Sequence, residues 1–100
     1  MNILLVCSAG MSTSMLVTRM LDSANTKGID VKIEAHPVAE VEMYGLEADA
    51  ILLGPQVRFQ LNNVKKIFPN KVVQVIDTRD YGMMNGEKVL EAAIKVIDAK

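Results

Sequence analysis

Short apolar runs alternate along the chain with longer stretches whose apolar residues recur at helical spacing. Ile3-Leu4-Leu5-Val6 is an unbroken run of strand length, and Met15, Leu16, Met20 and Leu21 then recur at the offsets of one helix face. This predicts a strand at 2–6, a turn at 7–12 and a helix at about 13–27 that Gly28 ends. Val31, Ile33 and Ala35 alternate with Lys32 and Glu34, the pattern of a strand open to water on one side and therefore at a sheet edge, and Pro37 closes it. Residues 38–46 predict a short helix interrupted by Gly45, and 49–54 a central strand ending in a turn. Pro55 suits a first helical turn, Val57, Leu61, Val64 and Phe68 continue a helix over 56–68, and Pro69-Asn70 breaks it. A fourth strand at 72–76, a loop at 77–84 and a last helix carrying Val89, Leu90, Ala93, Ile94 and Ile97 complete the chain.

Every connection is too long for a hairpin, which implies parallel strands joined by right-handed crossovers with helices on both faces of the sheet. The expected fold is α/β: a four-stranded parallel open sheet in the order 2-1-3-4, similar in architecture to flavodoxin-like domains and low-molecular-weight tyrosine phosphatases. In open sheets of this kind ligands bind beyond the carboxyl ends of the strands. Three connections end there: the loop after strand one, the Gly54-Pro55-Gln56 turn, and the loop from Asp77 to Met84. With strands one and three adjacent, Gln56 lies beside the first loop.

A length of 100 residues, 50% of them hydrophobic, fits one domain over 1–100 with its own core. Eleven basic and twelve acidic residues, with no basic run, offer no electrostatic basis for binding nucleic acid. Apolar runs fall far short of the roughly 20 residues that span a bilayer, and Met1-Asn2 leads into a strand with no charged leader, so a free-standing cytoplasmic domain is expected. A single reduced cysteine suits that compartment. His36, the only histidine, has no second His or Cys at ligand spacing; no metal is expected, and His36 reads as a surface residue.

The chemistry concentrates in Cys7-Ser8-Ala9-Gly10-Met11-Ser12-Thr13-Ser14. At a strand-to-helix turn backbone N–H groups converge and the helix N-terminus adds partial positive charge, so an anion is held without a cationic side chain. The same field favours a thiolate, making Cys7 a candidate nucleophile beside its own anion pocket. A lone cysteine after an apolar strand is also, often, a small buried hydrophobe. Gly10 and the hydroxyls of Ser12, Thr13 and Ser14 are more than such a packing role needs. A Walker loop and a dinucleotide turn are excluded by their missing letters, and Cys-x-x-Cys exchange by the absence of a second cysteine.

These residues resemble the IIB components of bacterial sugar phosphotransferase systems, in the lactose/cellobiose/chitobiose family and most closely its cellobiose/chitobiose type. Val6 to Ser14 looks like the family's phosphocysteine loop, and Leu52-Leu53-Gly54-Pro55-Gln56, Phe68-Pro69-Asn70-Lys71, Val75-Ile76-Asp77 and Tyr81-Gly82 fall in the family's order across nearly the whole chain. The resemblance implies a phosphoryl carrier: Cys7 accepts phosphate from a phosphohistidine of the IIA component and delivers it to a sugar, a β-linked disaccharide, bound by the membrane IIC component. It implies a monomer that needs no metal or cofactor and meets the inner face of the membrane transiently. Ser8, Ala9, Gly10, Met11, Ser12, Thr13 and Ser14 would cradle the phosphoryl oxygens.

The rival is a low-molecular-weight tyrosine phosphatase or arsenate reductase, whose loop has the form Cys-x5-Arg. Here that arginine position holds Thr13, which removes the guanidinium clamp. A non-catalytic flavodoxin-like module, the third reading, leaves Cys7 without a task and has no Trp to stack a flavin. Secondary candidates each carry a plainer alternative. Gln56 contacts the phosphoryl group or a partner, or faces water; Asp77 serves the site, or caps the next turn. Tyr81 packs over the loop or binds a partner. Met11, Met83 and Met84 stand in site-facing loops, where flexible thioethers suit a surface that fits more than one partner.

Overall fold

The computed structural model describes residues 1–8 and 11–99, with Met11 and Ser12 described by their backbone alone. Strands β1 (Asn2–Cys7), β2 (Lys32–Pro37), β3 (Ala50–Leu53) and β4 (Val72–Val75) form one sheet in the order β2-β1-β3-β4. Every neighbouring pair is parallel, with Leu5 level with Ala35 on one side and Leu52 on the other, and Leu52 level with Gln74. The helices are α1 (Met11–Lys27), α2 (Val41–Tyr44), α3 (Leu61–Ile67), α4 (Thr78–Gly82) and α5 (Gly86–Ala99). None is long and apolar enough, among the described residues, to cross a membrane.

The unbroken apolar run of β1 is explained by its central place, because successive side chains point to opposite faces and both faces are covered. Ile3 and Leu5, with Leu52 of β3, pack under Leu16, Met20 and Ala24 of α1 and Val89, Leu90 and Ala93 of α5. Leu4 and Val6, with Ile51 and Leu53, pack on the opposite face against Val41, Val57, Val64 and Phe68. Each buried valine, leucine, isoleucine, methionine or phenylalanine among them contributes about 1.5–3 kcal/mol, so the two clusters hold the carboxyl end of β1 between two packed layers.

Helices α1 and α5 lie side by side with almost no space at one crossing. A Cβ on Gly86 would stand 2.5 Å from the backbone C of Arg19 and N of Met20, so only glycine lets α5 start there. Elsewhere along the pair Lys27 reaches Glu91 and Glu87 of α5. Its amine is held above the usual lysine value, first by the hydrogen bond to Glu91. Gly28, at φ 68°, ends α1, with the N–H of Ile29 donating back to the carbonyl of Ala24.

Several boundaries differ from the sequence expectation. β1 runs through Cys7, and β2 through Pro37, which lies level with it. Proline is tolerated there because β2 is an edge strand. Residues 38–47 form α2 flanked by 3-10 turns at Val38–Glu40 and Gly45–Glu47. The helix expected over 56–68 is a 3-10 segment, Pro55–Gln60, followed by α3, because Val57 leaves helical geometry at φ −115° to bury its side chain. The loop expected at 77–84 contains α4, whose first turn is capped by Asp77. Met15, expected on the packed face of α1, is 58% exposed; Leu16, Met20 and Ala24 make that face.

Candidate functional site

Cys7 ends β1 at the carboxyl edge of the sheet, level with Pro37 of β2 and one residue beyond the last β1–β3 pair, Val6 with Leu53. Beyond it the N–H of Gly54 donates to the carbonyl of Val6 at 2.8 Å, which draws the turn after β3 against the cysteine. A Cβ on Gly54 would stand 3.6 Å from Cys7 Cβ and 2.9 Å from Gln56 Oε1. Gln56 therefore folds its carboxamide back across Gly54 on the side of Cys7, in the neighbourhood that strand order predicts.

From the other side comes α1, a helix of 17 residues with no acidic residue in its first turn to neutralise the positive end of its dipole. Thr13, in that first turn, is 0% exposed, as is Cys7. Thr13 Oγ1 lies 3.5 Å from Cys7 Sγ, within hydrogen-bond distance for sulfur. The threonine that stands where a phosphatase has arginine is thus built into the wall behind the thiol. Ser8 is exposed in a bend, and Ser14 is exposed on α1, its carbonyl accepting from the Thr18 hydroxyl at 3.2 Å. The expected cradle positions Ala9 and Gly10, and the side chains of Met11 and Ser12, lie outside the described residues.

The remaining candidates separate. Asp77 Oδ1 accepts from the N–H groups of Arg79 at 2.9 Å and Asp80 at 3.1 Å, the capping alternative for this residue. Tyr81 is buried in the core cluster beneath α1 and α5. Met84 packs, half-buried, on the edge of that cluster with φ at 52°, an uncommon conformation for a side chain of this size. Met83 is exposed in the turn between α4 and α5.

Phe59, in the segment leaving β3, is 75% exposed and was not singled out by sequence reasoning. The available signal was its position off the apolar period of Val57, Leu61, Val64 and Phe68. His36 stacks on Tyr44 with ring centroids 3.5 Å apart and lies 3.4 Å from Glu34 Oε1. Among the described residues no group of three His, Cys, Asp or Glu side chains is placed to hold a metal ion. A groove of about 230 Å³ between Asn2, Lys32, Glu34, Tyr44 and Leu46 opens at the amino ends of β1 and β2, away from Cys7. The chemistry, rather than the concavity, marks the site.

A parallel α/β sheet with a single thiol at the junction of its central strand and a helix N-terminus defines a class of small anion-handling cysteine domains. The family model described as the lactose/cellobiose-specific IIB subunit of the phosphotransferase system (PTS) matches residues 2–92, and the chain belongs to that family. It is 40% identical to the oligo-beta-mannoside-specific EIIB component of Bacillus subtilis (strain 168), over 96% of this chain and 95% of that one. It is 43% identical to the cellobiose-specific EIIB component of Lactococcus lactis subsp. lactis (strain IL1403), over 91% of each.

Among solved structures, the cellobiose-specific IIB component from Borrelia burgdorferi superposes with a TM-score of 0.85 at 45% identity, covering 100% of this chain and 94% of that one. The lactose-specific IIB domain from Streptococcus pneumoniae superposes with a TM-score of 0.84 at 17% identity over 95% of each chain, a likeness of fold. The chain is a IIB-type phosphotransferase, a phosphoryl carrier in sugar uptake that works with IIA and IIC components. Family membership supports this over the phosphatase alternative.

Proposed function

We propose that Cys7 is the residue that carries the phosphoryl group. The observation that carries this reading is the meeting of the chain's one thiol with the N-terminal turn of α1, where Thr13 replaces the arginine of a phosphatase loop. The Cys7 thiolate attacks the phosphorus of a phosphohistidine on the IIA component; the S–P bond forms, the P–N bond breaks, and the imidazole nitrogen keeps the electron pair. A sugar hydroxyl held by the membrane IIC component then attacks the phosphorus, and the thiolate leaves. Backbone N–H groups of Ala9 to Ser14, with the hydroxyls of Ser8, Ser12 and Ser14, hold the phosphoryl oxygens through both steps.

The absence of a guanidinium clamp, with Thr13 in its place, favours a long-lived thiophosphate, because nothing there stabilises the charge of a hydrolytic transition state. Relatives described as specific for oligo-beta-mannosides and for cellobiose support a β-linked disaccharide or short oligosaccharide as the sugar. The protein acts as a monomer in the cytoplasm, meets the membrane only while bound to IIC, and uses no cofactor. Gln56, exposed beside Gly54 and Cys7, borders the surface where the two partners alternate.

A carrier and a phosphatase differ in what happens after phosphorylation, since a phosphatase must activate water against the intermediate. Purified protein is expected to turn over neither p-nitrophenyl phosphate nor phosphotyrosine, and its phosphorylated form to persist for many minutes when alone. Sustained aryl phosphate hydrolysis that Cys7→Ser abolishes would contradict the carrier reading.

A further inference from the structure

We infer that the Thr13 hydroxyl serves the sulfur of Cys7 rather than the phosphoryl oxygens, and that it stabilises the thiolate as the S–P bond breaks. The assignment rests on Cys7 as the phosphorylated residue. Both side chains are fully buried, and Oγ1 stands 3.5 Å from Sγ. Buried in this way the hydroxyl cannot be exchanged for water at the moment charge develops, and a pre-aimed donor in a low-dielectric setting is worth more there than at the surface. When S–P cleavage begins, sulfur passes from a neutral ester atom to an anion. A hydrogen bond to an ionised partner is roughly twice as strong as one between neutral groups, so an O–H donated to sulfur favours the transition state over the ester.

The step balances without a further reactant. The acceptor's nucleophilic atom forms its bond to phosphorus, the S–P bond breaks, and the electron pair remains on sulfur, which receives the Thr13 hydrogen bond. Where the acceptor is a hydroxyl, its proton passes to water. Arginine at the same position would reach past the sulfur and grip the phosphoryl oxygens. Threonine is too short for that grip and is placed at the leaving atom. The carrier thereby releases its cargo on transfer without the clamp that would promote hydrolysis.

The test uses two variants that divide the side chain into its halves. Thr13→Val keeps the shape and loses the hydroxyl; Thr13→Ser keeps the hydroxyl and loses the methyl group. Each protein is loaded from phosphoenolpyruvate through the general phosphotransferase proteins and a IIA component. It is then mixed with excess unphosphorylated IIA, and discharge is followed by intact mass, with circular dichroism confirming the fold. Thr13→Val is expected to discharge about tenfold more slowly than wild type, and Thr13→Ser within about threefold of it. A valine variant that stays unloaded while the serine variant loads also supports the hydroxyl's action on sulfur, at the step where the thiolate attacks. Wild-type discharge in Thr13→Val, or a serine variant as slow as the valine one, would overturn the assignment. Wild-type protein phosphorylated at a residue other than Cys7 would instead overturn the reading on which it rests.

Discussion

Thr13 and Gln56 approach Cys7 from two elements that are distant in sequence and were legible to different degrees. The cysteine and its run of small and hydroxylated neighbours stand out in the letters, because an apolar strand stopping at such a stretch has few other uses. Gln56 became visible only through topology, as the residue that adjacent strands one and three bring beside the loop, and its carboxamide does fold over Gly54 toward Cys7. The contact of the Thr13 hydroxyl with the Cys7 sulfur was not legible, since spacing says which turn a residue occupies and not which rotamer its side chain selects. Gln56→Glu places a negative charge next to an arriving phosphoryl group and is expected to slow loading from phosphorylated IIA by roughly tenfold at low salt. Gln56→Ala should slow it less. The deficit of the glutamate variant should shrink as salt is raised, because the group is exposed and its field is screened. Loading of Gln56→Glu at the wild-type rate would place the carboxamide outside the phosphoryl group's reach.

At the scale of elements, the four strands and the two long helices follow from periodicity, and the errors fall where a local device overrides it. Residues Pro55–Gln60 keep an apolar helical period, yet the burial of Val57 bends the backbone out of it. Helix α4 is too short to show a period at all; its only sequence signal is Asp77 preceding Thr78, a cap without an amphipathic run behind it. The close crossing of α1 and α5 was likewise hidden, because Gly86 announces conformational freedom but not the backbone it must approach. Gly86→Ala is expected to destabilise the fold by about 1–3 kcal/mol, since the added carbon meets main-chain atoms of α1 that cannot rotate away. Denaturant unfolding reads that loss, while phosphoryl uptake by the folded fraction should stay near wild type. An unchanged unfolding midpoint would mean that the two helices separate freely at this crossing.

Over the whole molecule, the strand order β2-β1-β3-β4 is what turns a cysteine-containing turn into a site. The chain leaves β1 toward one edge of the sheet and later returns to pair on its other side, so the end of β1 lies where the winding reverses and loops diverge. Two packed layers hold that end, with Ile3 and Leu5 anchored on one face and Leu4 and Val6 on the other, leaving Cys7 buried against Thr13 in the first turn of α1. The fold supplies position and field, and the reaction asks for little else, because phosphoryl transfer depends chiefly on alignment and charge stabilisation. The most direct test of the central claim is the site of phosphorylation itself. Protein charged from phosphoenolpyruvate through a IIA component should gain one phosphoryl group, seen by intact mass and by a thiophosphate signal in phosphorus NMR. Cys7→Ser, folded and nearly isosteric, should gain none. A phosphoryl group retained by Cys7→Ser, or mapped to any other residue of the wild-type chain, would contradict the account.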